Sequence, residues 1–386
     1  MKIRYGMVGG GPGAFIGAVH RMAAALDGRF DLVAGAFSSD AAKSRQTGDE
    51  LGIAPGRTYG SFAAMAEAEA ALPPDERIEV VSIVTPNYLH HPAAMAFLRS
   101  DIHVICDKPL TTALVDAEEL CRETGARGLV FCVTHNYSGY PMVKEARERV
   151  RSGDLGDVRK TVVEYSQGWL ATLLEADDHK QASWRADPDR AGVSSALADI
   201  GSHAQHLAAY VTGLEMDELF ADLATLVEGR VLEDDATVLI RYEGGSRGLL
   251  TASQIAAGER NNLRLRVYGS AAGLDWSQEQ PDRLRLALSD GSEKILHAGG
   301  AGLSARATEH QRLPGGHPEG FIEAFANLYR NVARTLDVRA DRAEPGPFDR
   351  DFPTVRDGAR GVHFIHAAVR SAASGSWVQA AYDPPA

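Results

Sequence analysis

The fold turns on "GMVGGGPGAFIGAVHR", residues 6–21. An apolar run, Ile3–Val8, leads into it, and a helical pattern over 17–27 overlaps its end. A strand that ends in glycines and opens a helix brings backbone N–H groups against a pyrophosphate. Glycine removes the obstructing side chain, and the helix start offers unpaired donors at a positive dipole end. Gly9 and Gly11 stand where the backbone must come close, with Pro12 beside them. The third glycine of the pattern falls at Gly17, so the turn is expected to be longer than the standard one.

Working outward, the first third alternates strands with helices. Short apolar runs occur at Ile3–Val8, Asp31–Phe37, Glu79–Val84, Ile102–Cys106 and Leu129–Val133, with helical patterns at 17–27, 40–51, 61–71, 88–98 and 112–123. That order predicts βαβ units and a parallel sheet covered on both faces. The second strand ends in "GAFSSDAAKSR" (35–45). An acid at that strand end bonds a ribose 2′-OH and favours NAD. Asp40 lies just beyond and serves that role or caps the next helix. Ser38, Ser39 and Lys43 instead suit a 2′-phosphate, so this stretch leaves NAD and NADP both open.

After about residue 155 the pattern changes. Alternating strand-like runs appear at 158–165, 219–228, 235–243, 247–256, 263–268 and 273–276, several joined by glycine turns such as "YEGGSRG" (242–248). These predict an open, mostly antiparallel sheet with helices over 194–211 and 320–336. The expected fold class is therefore α/β: a dinucleotide-binding domain over 1–135 and an α+β domain over 136–386. At 386 residues the chain is long enough for two cores. Its net charge of −12 and lack of a Lys/Arg block argue against nucleic-acid or membrane partners. No run approaches the roughly 20 apolar residues of a membrane helix, and glycines interrupt the first apolar run too early for a signal peptide. Cys106, Cys121 and Cys132 cannot all pair and lack zinc spacing, which predicts reduced thiols and a cytoplasmic location.

One stretch of the second domain, "ALADIGSHAQHLAAY" (196–210), carries Asp199, His203 and His206. On a helix, side chains at i and i+4 share a face, so Asp199 is placed to orient His203. Three readings compete: a metal site, a structural pair and an acid–base pair. No Cys or further acid accompanies the trio, so no metal is expected, and the acid–base reading is preferred.

Three further stretches join the glycine turn: "VTPNYLHHPAA" (84–94), "CDKPLTT" (106–112) and "ADIGSHAQHL" (198–207). Together they resemble the glucose–fructose oxidoreductase/inositol dehydrogenase (Gfo/Idh/MocA) family over roughly residues 3–340. The resemblance implies a Rossmann domain followed by an open-sheet domain that supports homodimers or homotetramers. It also implies NAD(P)-dependent oxidation or reduction of hydroxyls on neutral sugars and cyclic polyols. The family's Glu-Lys-Pro motif reads Asp107-Lys108-Pro109 here, one methylene shorter at the acid. Its Asp-xxx-His pair falls on Asp199 and His203. Thr85, Asn87, His90 and Asn136 match positions near the cofactor. A subgroup that includes cyclic-polyol and anhydrosugar dehydrogenases implies Gln167, Trp169, Arg185 and His317 in the substrate pocket, alongside Lys108, Asp199 and His203.

The expected chemistry follows. Hydride removal from a carbinol carbon requires the hydroxyl proton to leave, and a His near neutral pH is a suitable base. Lys108 stabilises the developing alkoxide or shares the proton. NAD is the preferred cofactor because the resembled polyol dehydrogenases act oxidatively. Two rivals remain: a glycosidase that transiently oxidises C3 with a retained NAD, and a non-catalytic nucleotide sensor.

Overall fold

The computed structural model describes residues 2–177 and 187–386. The chain forms two compact units: Met1–Asn136 with Phe325–Ala359 and Pro384–Ala386, and Tyr137–Ala324 with Arg360–Asp383.

In the first unit, β1 (Ile3–Gly9), β2 (Phe30–Ala36), β3 (Val80–Val84), β4 (His103–Cys106) and β5 (Phe131–Val133) form a parallel sheet in the order β2-β1-β3-β4-β5. Helices α1 (Phe15–Leu26), α2 (Ala41–Glu50), α3 (Phe62–Ala70), α4 (His90–Arg99) and α5 (Leu114–Arg127) alternate with the strands. Strand order reverses direction at β1, with β2 on one side and β3 on the other. Ligands of open α/β sheets bind at the carboxyl ends of strands beside such a switch point, and the glycine turn leaves β1 there. Strand β3 is buried at every position, as expected of a sheet covered on both faces. Its one polar residue, Ser82, is satisfied by the Tyr329 hydroxyl (2.8 Å) and His20 Nδ1 (3.1 Å). Burial pushes the His20 pKa down to about 4, so its ring stays neutral there.

The second unit opens with α6 (Pro141–Arg151) and β6 (Val158–Ser166), followed by a short helix α7 (Pro188–Ala191) and α8 (Ser202–Thr212). Strands β7 (Met216–Ala224), β8 (Asp235–Tyr242), β9 (Arg247–Ser253), β10 (Asn262–Gly269), β11 (Ala272–Ser277), β12 (Arg283–Leu288) and β13 (Glu293–His297) follow. With β14 (Val378–Gln379) they make a nine-stranded sheet ordered β13-β12-β11-β10-β6-β9-β8-β7-β14. Every pairing is antiparallel except β6 with β9. One face is apolar: Val163, Tyr165, Val238, Leu250, Leu265 and Trp276 are buried, and Leu197, Ala204 and Leu207 join the same core. The alternate positions form a charged face where Arg264 meets Asp275 at 2.6 Å and Arg266 meets Glu164.

After α9 (Ala305–Glu309), helix α10 (Phe321–Arg339) begins in the second unit and continues, from Phe325, in the first. The expected cut at 135–136 does not contain this return. Its cause is the apolar stripe of α10: Phe325, Leu328, Tyr329 and Val332 are buried, with the Tyr329 ring edge-on to Phe30 at 5.3 Å. The Val133 N–H then donates to the Pro353 carbonyl (2.9 Å) before α11 (Val355–Ser374) leads back. The expected strands over 219–228 and 247–256 are shorter than read, ending at Ala224 and Ser253. Cys106, Cys121 and Cys132 are buried free thiols, and no helix among the described residues is long and apolar enough to cross a membrane.

Candidate active site

The nucleotide end is built by backbone. Gly9 (φ +87°) and Gly10 (φ +77°) adopt a conformation that L side chains avoid. A Cβ at Gly11 would lie 2.7 Å from the Phe37 carbonyl oxygen, and the Gly11 N–H donates to that same oxygen (3.1 Å). A Cβ at Gly17 would sit on the Gly10 backbone. Gly17 is thus the third glycine in physical terms: it lets α1 pack on the turn despite its late position. Pro12 and Gly13 lengthen the turn, and Arg21 braces it by donating to the Gly10 carbonyl (3.0 Å). The first turn of α1 has no acidic residue and its N-cap makes no side-chain bond, so this helix start suits an anion.

At the end of β2, Asp40 caps α2: one carboxylate oxygen accepts from the Ala42 N–H (2.8 Å) and the Lys43 N–H (3.1 Å). Those bonds hold its pKa below the usual range. Ser38 Oγ accepts from the Asp40 N–H, while Ser39 and Lys43 are exposed. Thr85 follows β3, and Asn87 opens the 3-10 turn Asn87–Leu89 that leads into α4. His90 is wholly buried and spends both ring nitrogens on backbone: Nδ1 on the Pro109 carbonyl and Nε2 on the Thr85 carbonyl, each at 2.9 Å. It therefore ties the segment after β3 to the Lys108–Pro109 turn after β4. Asp107 Oδ1 accepts from the Lys108 N–H (3.0 Å) and the Thr134 hydroxyl (2.8 Å). The acid of this motif thus shapes the turn carrying half-buried Lys108. Two buried polar atoms here, Thr85 Oγ1 and Asn136 Nδ2, have no partner among the described residues. Together with the glycine cradle they fit a bound dinucleotide.

The candidate catalytic end, in the second unit, is built by side chains. The regular helix expected over 194–211 begins as a π turn, Leu197–Gly201, which carries Asp199 and runs into α8 with His203. π turns widen the helix and re-aim the residues they hold. Glu233 anchors this start: its Oε1 accepts from the Ser194 hydroxyl (2.6 Å) and the Ser195 (2.9 Å) and Leu197 (3.1 Å) N–H groups. Burial raises the Glu233 pKa against these bonds. His203 is 8% exposed, with the Tyr137 ring edge-on at 4.8 Å and Tyr165 at 6.2 Å. His206 stacks on Tyr210 instead (6.0 Å). Among the described residues no three His, Cys, Asp or Glu side chains gather to hold a metal.

A hydrogen-bonded network extends from Tyr137 and Tyr165, the rings packed on His203, and a separate bond holds Asp199. Gln254 Nε2 donates to Asp199 Oδ2 (2.9 Å), and Gln167 Nε2 donates to Asn261 Oδ1 (2.7 Å). The Trp169 indole donates to Gln167 Oε1 (3.0 Å). The Tyr165 hydroxyl donates to Asn261 (2.7 Å) and lies 2.5 Å from that of Tyr137. Burial, then the neighbouring phenol and the Asp199 charge, pushes Tyr165 well above its ordinary pKa, so it stays a neutral donor. The structure thus joins Asp199, Gln167 and Trp169, and adds Tyr137, Tyr165, Gln254, Asn261 and Glu233, which sequence reasoning missed. The amide of Gln167 is occupied at both ends by protein groups. His317 is exposed, with Nδ1 on the Pro314 carbonyl of its own loop (3.1 Å). Arg185 lies outside the described residues.

Comparison with known proteins places this arrangement. Residues 3–135 match the pattern described as "Oxidoreductase family, NAD-binding Rossmann fold", and residues 143–275 match the GFO/IDH/MocA C-terminal domain. An uncharacterized oxidoreductase of Bacillus subtilis, YfiI, is 33% identical over 381 residues, covering 98% of this chain and 96% of that protein. The crystal structure of an oxidoreductase from Sinorhizobium meliloti is 44% identical, with a TM-score of 0.87 and coverage of 98% and 99%. An inositol dehydrogenase homologue from Azotobacter vinelandii, solved with NADH and myo-inositol, is 34% identical, with a TM-score of 0.90 and coverage of 98% of each chain. The chain belongs to the Gfo/Idh/MocA oxidoreductase family, with an NAD-binding Rossmann domain followed by an open-sheet domain.

Proposed function

We propose that this protein oxidises a secondary hydroxyl of a neutral sugar, inositol or related cyclic polyol to a ketone. The observation that carries the reading is the setting of His203. It is a buried imidazole one helical turn from Asp199, packed on Tyr137 and Tyr165, and Tyr165 leads into a network of amides and an indole: Asn261, Gln167 and Trp169. Neutral donors and acceptors around aromatic faces suit a polyhydroxylated ring. NAD, when bound, takes the hydride from the carbinol carbon. His203 takes the hydroxyl proton, Asp199 orients it and favours the resulting cation, and Lys108 stabilises negative charge on the substrate oxygen. Trp169, Gln167, Arg185 and His317 are assigned to substrate binding, and the protein to the cytoplasm as a homodimer or homotetramer. The family relative solved with NADH and myo-inositol supports the substrate class.

The test is NAD+ reduction by purified protein across inositols, aldoses and anhydrosugars, with NADP+ in parallel. Steady NADH formation with one ring polyol is the expected result. Sugar release from glycosides without net NADH overturns it in favour of a retained-cofactor glycosidase. Product with NADP+ alone assigns Ser38 and Lys43 to a 2′-phosphate.

A further inference from the structure

Gln254 is fully buried and held from both sides of its backbone: its N–H donates to the Asp234 carbonyl (2.9 Å), and its carbonyl accepts from the Leu170 N–H (3.0 Å). Asp234 is itself fixed, its carboxylate accepting from the Leu226 and Val227 N–H groups and from buried Arg230. The Gln254 side chain therefore projects from a rigid frame just past the end of β9. Its Nε2 donates to Asp199 Oδ2 at 2.9 Å and reaches Gln167 Oε1 at 3.5 Å. The π turn comes this close to β9 because its last residue is Gly201, whose Cβ would stand 3.4 Å from the Ala252 Cβ and crowd Leu197. Fifty-five positions separate the two bonded residues, so the contact is a product of the fold.

The chemistry of the contact is specific. A neutral amide donor beside a carboxylate favours its ionised form without adding charge. It also fixes which oxygen is occupied, and so how the carboxylate faces its surroundings. Burial is the main cause that raises Tyr137 and Tyr165, the two phenols packed on His203, and the Asp199 charge raises both further. That charge is therefore felt around the imidazole. We propose that Gln254 is the positioning residue of the Asp199–His203 pair. It keeps Asp199 ionised and in one orientation, and through Gln167 it keeps the Trp169–Asn261 wall in register with the pair. The inference rests on the acid–base reading of His203 given above.

The experiment compares wild type, Gln254→Met and Gln254→Glu. It reads the His203 pKa from its ring proton resonances in the intact protein without substrate, and the pH profile of kcat/KM with the polyol that wild type oxidises. Methionine keeps the volume and removes the donor. Asp199 then turns away, the imidazolium loses its partner, and the His203 pKa and acid limb move down by about half a unit or more, with kcat reduced roughly tenfold and KM little changed. Glutamate sets a second carboxyl beside Asp199; the two share one proton, the protonated carboxyl donates to Asp199 as the amide does, and the same pKa stays close to that of wild type. A lowered pKa with methionine and its rescue with glutamate support the inference. Equal losses of activity with an unmoved His203 pKa in both variants overturn it and leave Gln254 as packing. A wild type that oxidises no polyol overturns the proposed function instead, and the resonance titration still decides the role of Gln254.

Discussion

The two ends of the protein solve the placement problem in different ways. The nucleotide end is a backbone device: Gly9, Gly10, Gly11 and Gly17 act by what they lack, within nine residues of one another. The proposed catalytic end is a side-chain device: Gln254 bonds Asp199, Glu233 anchors the turn that carries it, and Gln167 bonds Asn261, all drawn from across the unit. The first tolerates no added atoms. The second tolerates no lost donors or acceptors. Substitutions should therefore fail for opposite reasons at the two ends.

The largest effect is expected at the proton acceptor. His203→Asn keeps polarity and removes the titrating group, so kcat for polyol oxidation should fall by about 10²–10⁴-fold. NAD+ affinity, read by fluorescence titration, should stay within about twofold, because the glycine turn is untouched. Below the His203 pKa wild-type kcat/KM should fall tenfold per pH unit, since only the neutral ring accepts a proton. Loss of NAD+ binding in this variant would break the division between the two devices.

Next comes the backbone device. Gly17→Ala adds one carbon where the Gly10 backbone already stands. The helix must move off the turn, which costs about 1–3 kcal/mol of stability and weakens NAD+ binding at least tenfold. Thermal unfolding and the same titration check both. Gly28→Ala is the control: its φ of +64° strains an added side chain, but a Cβ there meets nothing within 4 Å, so it should leave cofactor affinity unchanged.

This contrast also explains what the sequence disclosed. The glycine turn and the five parallel strands were legible, and the spacing of Asp199 and His203 was visible, because each is local: a pattern within one short segment. The hairpin "RLRLALSDGSEKILH" (283–297) also carried a local signal, alternation about an Asp-Gly turn, and the expected strand set stopped short of it. Helix α11 was harder, since Gly358 and Gly361 weaken its pattern; Gly358 is there because a Cβ would press on Leu110 and Val133. The π turn was illegible, because residue spacing assumes a regular helix. Gln254 and Glu233 offered no signal at all, lying 55 and at least 36 positions from the residues they serve.

A smaller effect, with a sign that depends on pH, is expected at Glu233. Burial raises its pKa in the folded protein above the unfolded value, so folding binds a proton there. Below the unfolded pKa, roughly 4.3, the group is protonated in both states and its ionisation costs nothing. As pH rises toward the folded pKa, stability falls, because the carboxylate must ionise while buried. The variant Glu233→Gln retains an acceptor oxygen for Ser194, Ser195 and Leu197 without that charge. Its stability should equal or exceed that of wild type at neutral pH, and the advantage should vanish near pH 4. Denaturant unfolding at the two pH values checks this. A variant less stable at both would mean that the charge itself anchors the π turn.

The smallest effect on folding is expected on the charged face of the open sheet. Arg264 and Asp275 pair at 2.6 Å, with the arginine side chain 45% exposed. An exposed pair of this kind contributes about 0–1 kcal/mol, so Arg264→Ala should move the thermal midpoint little. The same substitution separates folding from assembly. If copies of the chain meet on this face, the pair is shielded from solvent there. Removing one partner then leaves the other charge buried, at a cost of several kcal/mol to association and little to each subunit. Sedimentation of wild type and Arg264→Ala across a range of concentrations distinguishes the cases. A dissociation midpoint shifted tenfold or more places the face inside the oligomer. An unmoved midpoint leaves the ion pair as a solvent-facing guard on an open sheet.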